Sequence, residues 1–347
     1  MRLLLTSAAG SGDITTLVPS LRWSGDYRQV ARTLDFSIIS SPANPDVPVV
    51  DSRPGGIVQL FSDDELLFEG VIVSRTKNIA ANTIDLSCFD RGFYLNRNRT
   101  VKTYTNKTAE GVAAALASEF SIPIGHLEAT GVPLSRNFLA STSIADIIIT
   151  MYTLASKVTG KQYHFSFRGP DLRVDEIKIN DRTLIVAGGV NLITASTTES
   201  ISRMVNAVQI FDQNGRLGRE IKDAAAIAEF GRLQDAVVQT QNDNRAATAQ
   251  DMLDNGGVSQ KMTVSCLGNP ANVTGGTIVV KEEHTGLYGL FYIQRDIHEW
   301  KNGQYFNTLV LSYERLVNER EAGTLPNANG ARTAGRNNRT NFVFAGR

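Results

Sequence analysis

The stretch that decides the fold is LYGLFYIQRDIHEWKNGQYFNTLVLSY, which runs from Leu287 to Tyr313. Apolar and polar residues alternate on both sides of the pair Asn302-Gly303. Asn-Gly between two alternating runs is the strongest local signal for a β-hairpin with a two-residue turn. The sequence therefore predicts two strands, at 287–300 and 305–313, joined at Asn302-Gly303.

The first hundred residues have the same character. The alternating run at 34–38 is the pattern of a half-buried strand. Further apolar runs, separated by turn signals, lie at 57–61, 66–73 and 83–89. Short strands at this spacing are typical of a small sandwich or barrel. We therefore predict a β-barrel-like domain over residues 1–100.

The middle of the chain changes to helical periodicity. Thr108 is predicted as the N-cap of a first helix, in which apolar residues recur every four positions. A longer helix is predicted from Ser143, where Asp146 completes a capping pattern, to Gly160, which supplies the stop. Two strand-like runs follow. These features predict a small α/β domain over residues 101–198.

Strand patterns return over residues 199–318, with a short helical stretch at 243–253, and predict a second β-barrel-like domain. Residues 319–347 are rich in Asn, Gly and Ala and contain no acidic residue after Glu321, so they predict a flexible basic tail. The tail's arginines include Arg332, Arg336, Arg339 and Arg347. The predicted class is α+β, mainly β, with two small β-barrel-like domains separated by a small α/β domain.

The two β regions end alike, which raises the question of an internal repeat. Residues 67–91 and 290–315 each read as strand, polar loop and strand, followed by an acidic residue and an arginine. One interpretation is that all amphipathic hairpins look alike. The other is two related barrels in one chain, which in a trimer would form a pseudo-sixfold ring able to seat against a sixfold object.

Composition and charge narrow the class of protein. The chain has 347 residues, 35 Lys and Arg, and 35 Asp and Glu, and this neutral balance argues against a dedicated DNA- or membrane-binding domain. The two cysteines, Cys88 and Cys266, lie in separate apolar runs and are predicted as buried free thiols. Without a signal peptide or an apolar run of about 18 residues, we expect a soluble protein with no membrane insertion.

Patterns of catalytic or metal-binding residues are missing from the sequence. The four histidines lack metalloprotease spacing, and no P-loop, Cys-x-x-Cys pair or G-x-S-x-G elbow occurs. The carboxylates Asp296 with Glu299, and Glu282 with Glu283, are predicted as solvated surface and not as a hydrolase dyad. We therefore predict no catalytic, cofactor-binding or metal-binding residue, and no enzyme. The histidines are His126, His164, His284 and His298.

Two further groups of residues have a structural interpretation. Arg91, Arg97 and Arg99 follow the first β region and are predicted to lie in a solvated loop or in ion pairs between subunits, in preference to a nucleic-acid patch. Trp23 and Trp300 are predicted as core or interface anchors and not as stacking platforms.

Several segments together resemble the baseplate hub family of contractile tails in Gram-positive phages, prophages and tail-like bacteriocins. The matching segments are spread in order over residues 15–316 and leave the tail outside. They are WSGDY at 23–27, ARTLDFSI at 31–38, KTAE at 107–110, SIADII at 143–148, TGKQY at 159–163, MVN at 204–206, FGRLQ at 230–234, LGNP at 267–270 and GLYGLFYI at 286–293.

The resemblance implies a trimeric ring that joins the sixfold tail tube to the threefold central spike and leaves a central channel. It implies as partners the spike, the tail tube or a tube-end adaptor, the tape-measure protein and wedge or LysM-type baseplate proteins, with DNA only as transient cargo. Assembly would occur in the bacterial host cytoplasm. The alternatives are a tail-associated cell-wall hydrolase, which would need paired acids or a zinc set, and a receptor-binding tail protein, which would need tandem sandwiches.

Overall fold

The computed structural model describes residues 1–41, 44–78, 82–179, 183–239 and 245–314. The predicted tail at 319–347 therefore lies outside the described residues. The chain divides into two compact units, and the boundaries predicted at 100, 198 and 318 stay a prediction. The larger unit contains Met1–Ile193, Ser265–Lys281 and the chain from Gly289 on, and the smaller unit contains Thr194–Val264 and Glu282–Tyr288.

Strands make up most of the described chain. In chain order they are β1 (Arg2–Ser7), β2 (Gly10–Asp13), β3 (Ser20–Asp26), β4 (Thr33–Ile39), β5 (Ile57–Ser62), β6 (Glu65–Asn78), β7 (Thr83–Asp90), β8 (Arg99–Lys107), β9 (Ile124–Leu127), β10 (Leu134–Ser143), β11 (Tyr163–Arg168), β12 (Asp171–Glu176), β13 (Leu184–Ala187), β14 (Leu192–Ser200), β15 (Ala207–Phe211), β16 (Leu217–Lys222), β17 (Gln234–Val238), β18 (Ser259–Leu267), β19 (Thr277–Glu282), β20 (Leu287–Lys301) and β21 (Gln304–Ser312). The helices are α1 (Gly92–Arg97), α2 (Ala109–Glu119), α3 (Ile144–Thr159), α4 (Ala224–Phe230) and α5 (Arg245–Asn255), with a 3₁₀ turn at Thr15–Leu17.

The main sheet of the larger unit joins strands from both ends of the chain. Its order is β21-β20-β3-β4-β7-β6-β5-β1-β2, and all these neighbours are antiparallel. The pairing of β20 with β3 places Arg295 opposite Asp26 and Lys301 opposite Ser20. The C-terminal hairpin thus extends the sheet begun by the N-terminal strands.

This arrangement confirms the mainly β class and corrects the predicted barrels. The strands of the described residues form no closed barrel. The physical reason lies in the free edge of the C-terminal hairpin, which pairs with β3 and so enters the N-terminal region's sheet. Alternation along a strand predicts which face is buried, but it does not identify the partner of each edge.

The predicted C-terminal hairpin is confirmed. Strands β20 and β21 pair from Tyr292–Ser312 to Lys301–Gln304. Asn302 has φ 53° and Gly303 has φ 75°. Two successive residues with positive φ are what a type I′ turn requires, and this turn matches the right-handed twist of the two strands.

One face of the main sheet is buried and the other is polar. The buried side chains alternate along β3, β4 and β7, where Trp23, Leu34 and Cys88 lie in the core. On the opposite face, Ser37 donates a hydrogen bond of 2.6 Å to Asp85, and Ser87 donates one of 2.6 Å to Asp35. The period of two along these strands therefore separates an apolar core from a hydrated polar face.

The helices α2 and α3 form a second core in the larger unit. The Thr108 hydroxyl accepts from the Gly111 N–H at 3.2 Å, and the Ser143 hydroxyl accepts from the Asp146 N–H at 3.0 Å. Gly160 ends α3 in the left-handed region with φ 70°. Both predicted helices and their caps are thus confirmed. The core they share contains Val112, Leu116, Ile144, Ile147, Ile148 and Met151.

Two small sheets accompany these helices. In one of them β12 pairs antiparallel with β11 and parallel with β9. The other is a two-stranded ribbon of β8 and β10, which pairs Lys102 with Phe138 and Lys107 with Leu134. The sequence pattern does not predict this ribbon, because Lys102 interrupts the apolar alternation on the inward side of β8.

The smaller unit has a compact centre of its own. Strand β15 lies between β16, antiparallel, and β17, parallel. Helix α5 covers this sheet, and Ala249 packs with Val208 and Ile210. The helical stretch predicted at 243–253 corresponds to α5. Strands β14 and β18 pair with each other, and the Ser259 hydroxyl donates to the Ser200 carbonyl at 3.0 Å.

Candidate functional site

A buried polar network lies where β20 meets β3, and Asp296 is at its centre. Asp296 has no solvent-exposed surface. The guanidinium of Arg32 donates to Asp296 through both terminal nitrogens, one of them at 3.0 Å. The N–H and the hydroxyl of Thr274 each donate to the same carboxylate at 2.6 Å. Donors from two other segments of the chain therefore converge on one carboxylate.

Two residues of β3 hold Arg32 in place. The Arg32 guanidinium carbon lies 4.1 Å from the centre of the Trp23 ring, which is a cation–π contact. A Cβ atom on Gly25 would lie 2.3 Å from the Arg32 Nη1 atom, so a larger residue would displace the guanidinium. Glycine at this position thus leaves the space that the salt bridge occupies.

His298 extends the network on the same strand. Its Nε2 atom is 3.2 Å from an Asp296 oxygen and 3.2 Å from the Asn272 carbonyl, so Nε2 carries the proton and donates. Its Nδ1 atom then accepts from the Asn307 amide at 2.9 Å, and it lies 2.7 Å from the Tyr305 hydroxyl. Burial lowers the pKa of His298. The contacts and the pKa therefore both indicate a neutral imidazole.

The segment at 268–272 docks on β21 through the same network. The Asn307 side-chain oxygen accepts from the Asn269 N–H at 2.7 Å and from the Asn272 amide at 2.8 Å. A Cβ atom on Gly268 would lie 2.2 Å from the Tyr305 ring, so only glycine fits against this ring. The Tyr305 ring also stacks on the Trp300 ring, with ring centres 4.0 Å apart.

Two buried carboxylates of this region have opposite pKa shifts. Burial raises the pKa of Asp90 to about 7, although the N–H groups of Arg32 and Gly92 donate to it at 3.0 and 2.8 Å. Burial alone would also raise the pKa of Asp296, but the Arg32 charge and the His298 hydrogen bond hold that pKa well below its usual range. The two pKa shifts differ because the charged guanidinium of Arg32 contacts Asp296. Asp90 accepts a hydrogen bond from the backbone N–H of Arg32 and does not contact the guanidinium.

Chemically, this network is a structural joint. Asp296, His298 and Asn307 have no exposed surface, and each is hydrogen-bonded to partners on other segments. A buried carboxylate that is paired and hydrogen-bonded on both oxygens fixes the geometry of the strands that carry it. The joint thereby locks β20 and β21 to β3 and to the segment 268–274.

An open groove of about 830 Å³ lies beside this joint in the larger unit. Its lining includes Trp23, Arg32 and His164, whose pKa is lowered to about 4 by burial. The His164 ring faces Gly275, where a Cβ atom would approach it to 2.6 Å. Charged side chains on the rim are paired, Arg168 with Glu65, Arg173 with Asp175, and Lys178 with Glu176.

The carboxylates considered for a hydrolase dyad do not come together. Asp296 is buried in the joint, whereas Glu299 is exposed, because residues three apart on a strand point to opposite faces. The prediction of a solvated surface position is therefore wrong for Asp296. Glu282 accepts from the N–H groups of His284 and Thr285, at 2.9 and 2.7 Å, and so caps the turn after β19.

The remaining histidines and both cysteines are separate from one another. His126 lies at the surface 3.3 Å from Glu128, and His284 is exposed. Cys88 and Cys266 are buried free thiols, as predicted, and burial raises the pKa of both. Over the described ranges, no group of three or more His, Cys, Asp or Glu side chains is arranged to hold a metal ion. Within the same ranges, no helix has the length and hydropathy to cross a membrane.

The arginines and tryptophans singled out in the sequence have separate roles. Arg91 forms an ion pair with Glu69 at 2.7 Å, and Arg99 donates to the Ser141 carbonyl at 2.8 Å. Arg97 is exposed at the end of α1. Trp23 and Trp300 are both buried, which confirms that they are core anchors.

Several segments that carry the family resemblance meet in space. The joint brings 23–27, 31–38 and 267–270 together around Asp296 and Asn307. In the smaller unit, the Asn206 amide donates to the Gly231 carbonyl at 2.7 Å, and its oxygen accepts from the Leu233 N–H at 2.8 Å. Sequence reasoning missed these contacts, because buried Asp, His and Asn residues in a strand carry no periodic signal of their partners.

Solved structures share this fold. The 43 kDa tail protein of prophage MuSo2 from Shewanella oneidensis superposes with a TM-score of 0.65 at 12% identity, covering 90% of this chain and 97% of that one. A component of the type VI secretion system, the Escherichia coli c3393 protein, which is described as similar to the T4 tail proteins gp27 and gp5, gives a TM-score of 0.52 at 10% identity, covering 88% and 76%.

These likenesses define the class: the chain has the fold of phage tail and baseplate proteins. The chain belongs to the YQBQ-like family, whose sequence profile matches residues 21–312. A curated relative is the phage-like element PBSX protein XkdQ of Bacillus subtilis, 22% identical over 298 residues, which cover 84% of this chain and 90% of the relative.

Proposed function

We propose that the chain is a structural baseplate hub of a contractile tail. Three copies would form a ring that joins the sixfold tail tube to the threefold central spike and leaves a central channel. The observation that carries this proposal is the match of nearly the whole chain to a prophage tail protein and to a type VI secretion component that is described as similar to T4 gp27 and gp5. The hub would be assembled in the host cytoplasm and would act without enzymatic activity.

The fold of the larger unit supports a role in transmitting force. A permanent ring that transmits force needs a rigid protomer, and the buried joint at Asp296 fixes the C-terminal hairpin to the N-terminal strands. The main sheet also presents two long hairpins, β6–β7 and β20–β21, which offer related surfaces for a pseudo-sixfold ring. A permanent interface of this kind should bury about 2,000–5,000 Å².

The partners follow from this position in the particle. The spike would bind on one side of the ring, and the tail tube or a tube-end adaptor on the other. The tape-measure protein and wedge or LysM-type baseplate proteins would contact the ring, and cargo DNA would pass through the channel. The predicted division at residues 100, 198 and 318 belongs to the same proposal.

The experiment that tests the hub is the solution mass of the purified chain by light scattering, alone and co-expressed with its spike. We expect a species of three times the 37.8 kDa chain mass, stable on dilution. A monomer that persists with the spike present would overturn the proposal. Clearing of a cell-wall zymogram by the pure protein would instead support a hydrolase.

A further inference from the structure

The ribbon of β8 and β10 has an inner face that is packed and an outer face that is open. Phe138 is buried against the helical core, and Lys102 on the same side pairs with Glu119 of α2. The next positions, Val101 and Leu139, point outward and are 59% and 77% exposed. An exposed apolar pair on a rigid element is a feature of interaction surfaces.

The two ribbon strands, and the residues next to them in the sequence, carry charge of one sign. Residues 91–109 contain five Lys and Arg and no acidic residue, and residues 129–145 contain Arg136 and no acidic residue. Arg99 and Lys107 are exposed at the two ends of β8, and within the described chain neither forms an ion pair with a carboxylate. We call Arg99, Val101, Lys107 and Leu139 the ribbon surface.

The smaller unit carries the opposite charge. Residues 194–264 and 282–288 contain eleven Asp and Glu against seven Lys and Arg. Glu199 and Glu283 are exposed, and Tyr288, which follows Glu283 in the same turn region of the chain, is 63% exposed. The Thr197 hydroxyl donates to the Thr285 carbonyl at 3.1 Å, which holds β14 beside the turn that carries Glu283. We call Glu199, Glu283 and Tyr288 the acidic surface.

We propose that the ribbon surface of one copy docks on the acidic surface of a second copy. Each surface has an apolar centre and charged flanks, and the two charges are opposite. Such a head-to-tail contact closes into a ring when the rotation between copies permits it. The proposal rests on the trimeric hub proposed above and names the surfaces through which its copies associate.

A nucleic acid is the less suitable occupant of the ribbon surface. Phosphate binding needs a dense basic surface, whereas here two exposed aliphatic side chains separate the basic ends. An acidic protein surface with an exposed aromatic residue is complementary to the ribbon surface, because its carboxylates can pair with the basic ends and its aromatic ring can pack on the aliphatic centre. This complementarity within one chain favours a second copy.

The test is the double charge reversal Arg99→Glu with Lys107→Glu, measured as solution mass against concentration in the full chain. We expect the dissociation constant of the oligomer to rise on the order of 100-fold, since like charges then face each other. The reversal Arg2→Glu with Lys157→Glu changes the charge equally at exposed positions of β1 and α3, outside the ribbon and outside the two long hairpins, and it should leave the mass unchanged.

Further variants separate the contact from a folding defect. Adding Glu199→Lys with Glu283→Lys to the ribbon reversal should restore the oligomer by restoring opposite charges. If the ribbon reversal does not fold, as judged by circular dichroism, Val101→Ser with Leu139→Ser replaces it, because these exposed side chains contribute little to the fold.

The outcomes distinguish this contact from the hub itself. The contact is supported if the oligomer is lost in the ribbon variants and returns when Glu199→Lys and Glu283→Lys are added. A wild-type trimer that persists in the ribbon variants overturns the contact and leaves the hub intact. A wild-type chain that stays monomeric with its spike overturns both proposals.

Discussion

Arg32 and Asp296 lie 264 residues apart in the chain, and their side chains form a salt bridge in which Asp296 is fully buried and Arg32 is 13% exposed. Thr274 also donates a hydrogen bond to Asp296, and the Arg32 guanidinium lies over the Trp23 ring. A buried ion pair is costly to break on one side only, because the remaining charge is left without its partner. The stability of the joint therefore depends on both residues together.

The first prediction concerns this dependence. Arg32→Met should lower the free energy of unfolding by about 3–5 kcal/mol, because it leaves the Asp296 carboxylate buried without its cation. The double variant Arg32→Met with Asp296→Leu should recover a substantial part of the loss. Urea unfolding measures both. A loss below about 1 kcal/mol for Arg32→Met would show that the pair does not hold the sheet.

A pH effect is expected from His164. Its pKa is about 4 in the folded chain, against an ordinary value of 6.5. Between these values the unfolded chain binds more protons than the folded chain, so the stability contributed by neutral His164 is lost as the pH falls through this window. After allowance for partial exposure, we expect a contribution of about 2 kcal/mol.

The His164 effect is measured as a difference between variants. Asp90 acts in the opposite direction, since its pKa rises from 3.8 to about 7 and its contribution is lost as the pH rises through that range. Comparing wild type with His164→Gln at pH 4.5 and 7 isolates the histidine. The exposed His284→Gln is the matched control, and equal pH slopes for both variants would refute the prediction.

The type I′ turn of the C-terminal hairpin gives a third prediction. Gly303→Ala should destabilise the protein by about 1–2 kcal/mol, because alanine is strained at φ 75°. Gly12→Ala lies in β2, where an added Cβ meets nothing within 4 Å, and should change stability by less than about 0.5 kcal/mol. Thermal or urea unfolding of the two variants tests the difference.

Helix α3 provides a comparison of two sites on one element. Ile148 is fully buried and Val158 is 54% exposed. Ile148→Ala should cost about 2–5 kcal/mol through lost burial and the cavity left behind, whereas Val158→Ala should stay within about 0.5 kcal/mol. Similar losses at both positions in urea unfolding would mean that α3 does not pack on the core as described.

The sequence was most informative where local chemistry decides the structure. Asn302-Gly303, the Thr108 and Ser143 caps and the Gly160 stop each act within a few residues, and all were predicted correctly. The burial of Trp23, Trp300 and both cysteines was also predicted, because large apolar side chains and free thiols are commonly buried.

The pairing of β20 with β3 and the joint at Asp296 could not be predicted from local patterns. A hairpin's free edge can pair with any strand of compatible length. The partners here are some 260 residues apart, and no local sequence pattern identifies a partner at that separation. Asp296 was assigned to the surface because charged residues are rarely buried, and its partner Arg32 is remote in the chain. The ribbon of β8 and β10 is not predicted by the sequence, because the inward positions of β8 include Lys102.

The pairing between β3 and β20 also has a consequence during synthesis. Strand β3 leaves the ribosome long before its neighbour β20 exists. The paired residues Asp26 and Arg295 are 269 residues apart (295 − 26), so at about 5–20 residues per second the delay is roughly 13 to 54 s. Throughout that interval the N-terminal strands expose an edge that the nascent chain cannot yet cover. Chaperone occupancy and translation speed should therefore determine the yield of this protein, and chains truncated before β20 should be recovered mainly as aggregates.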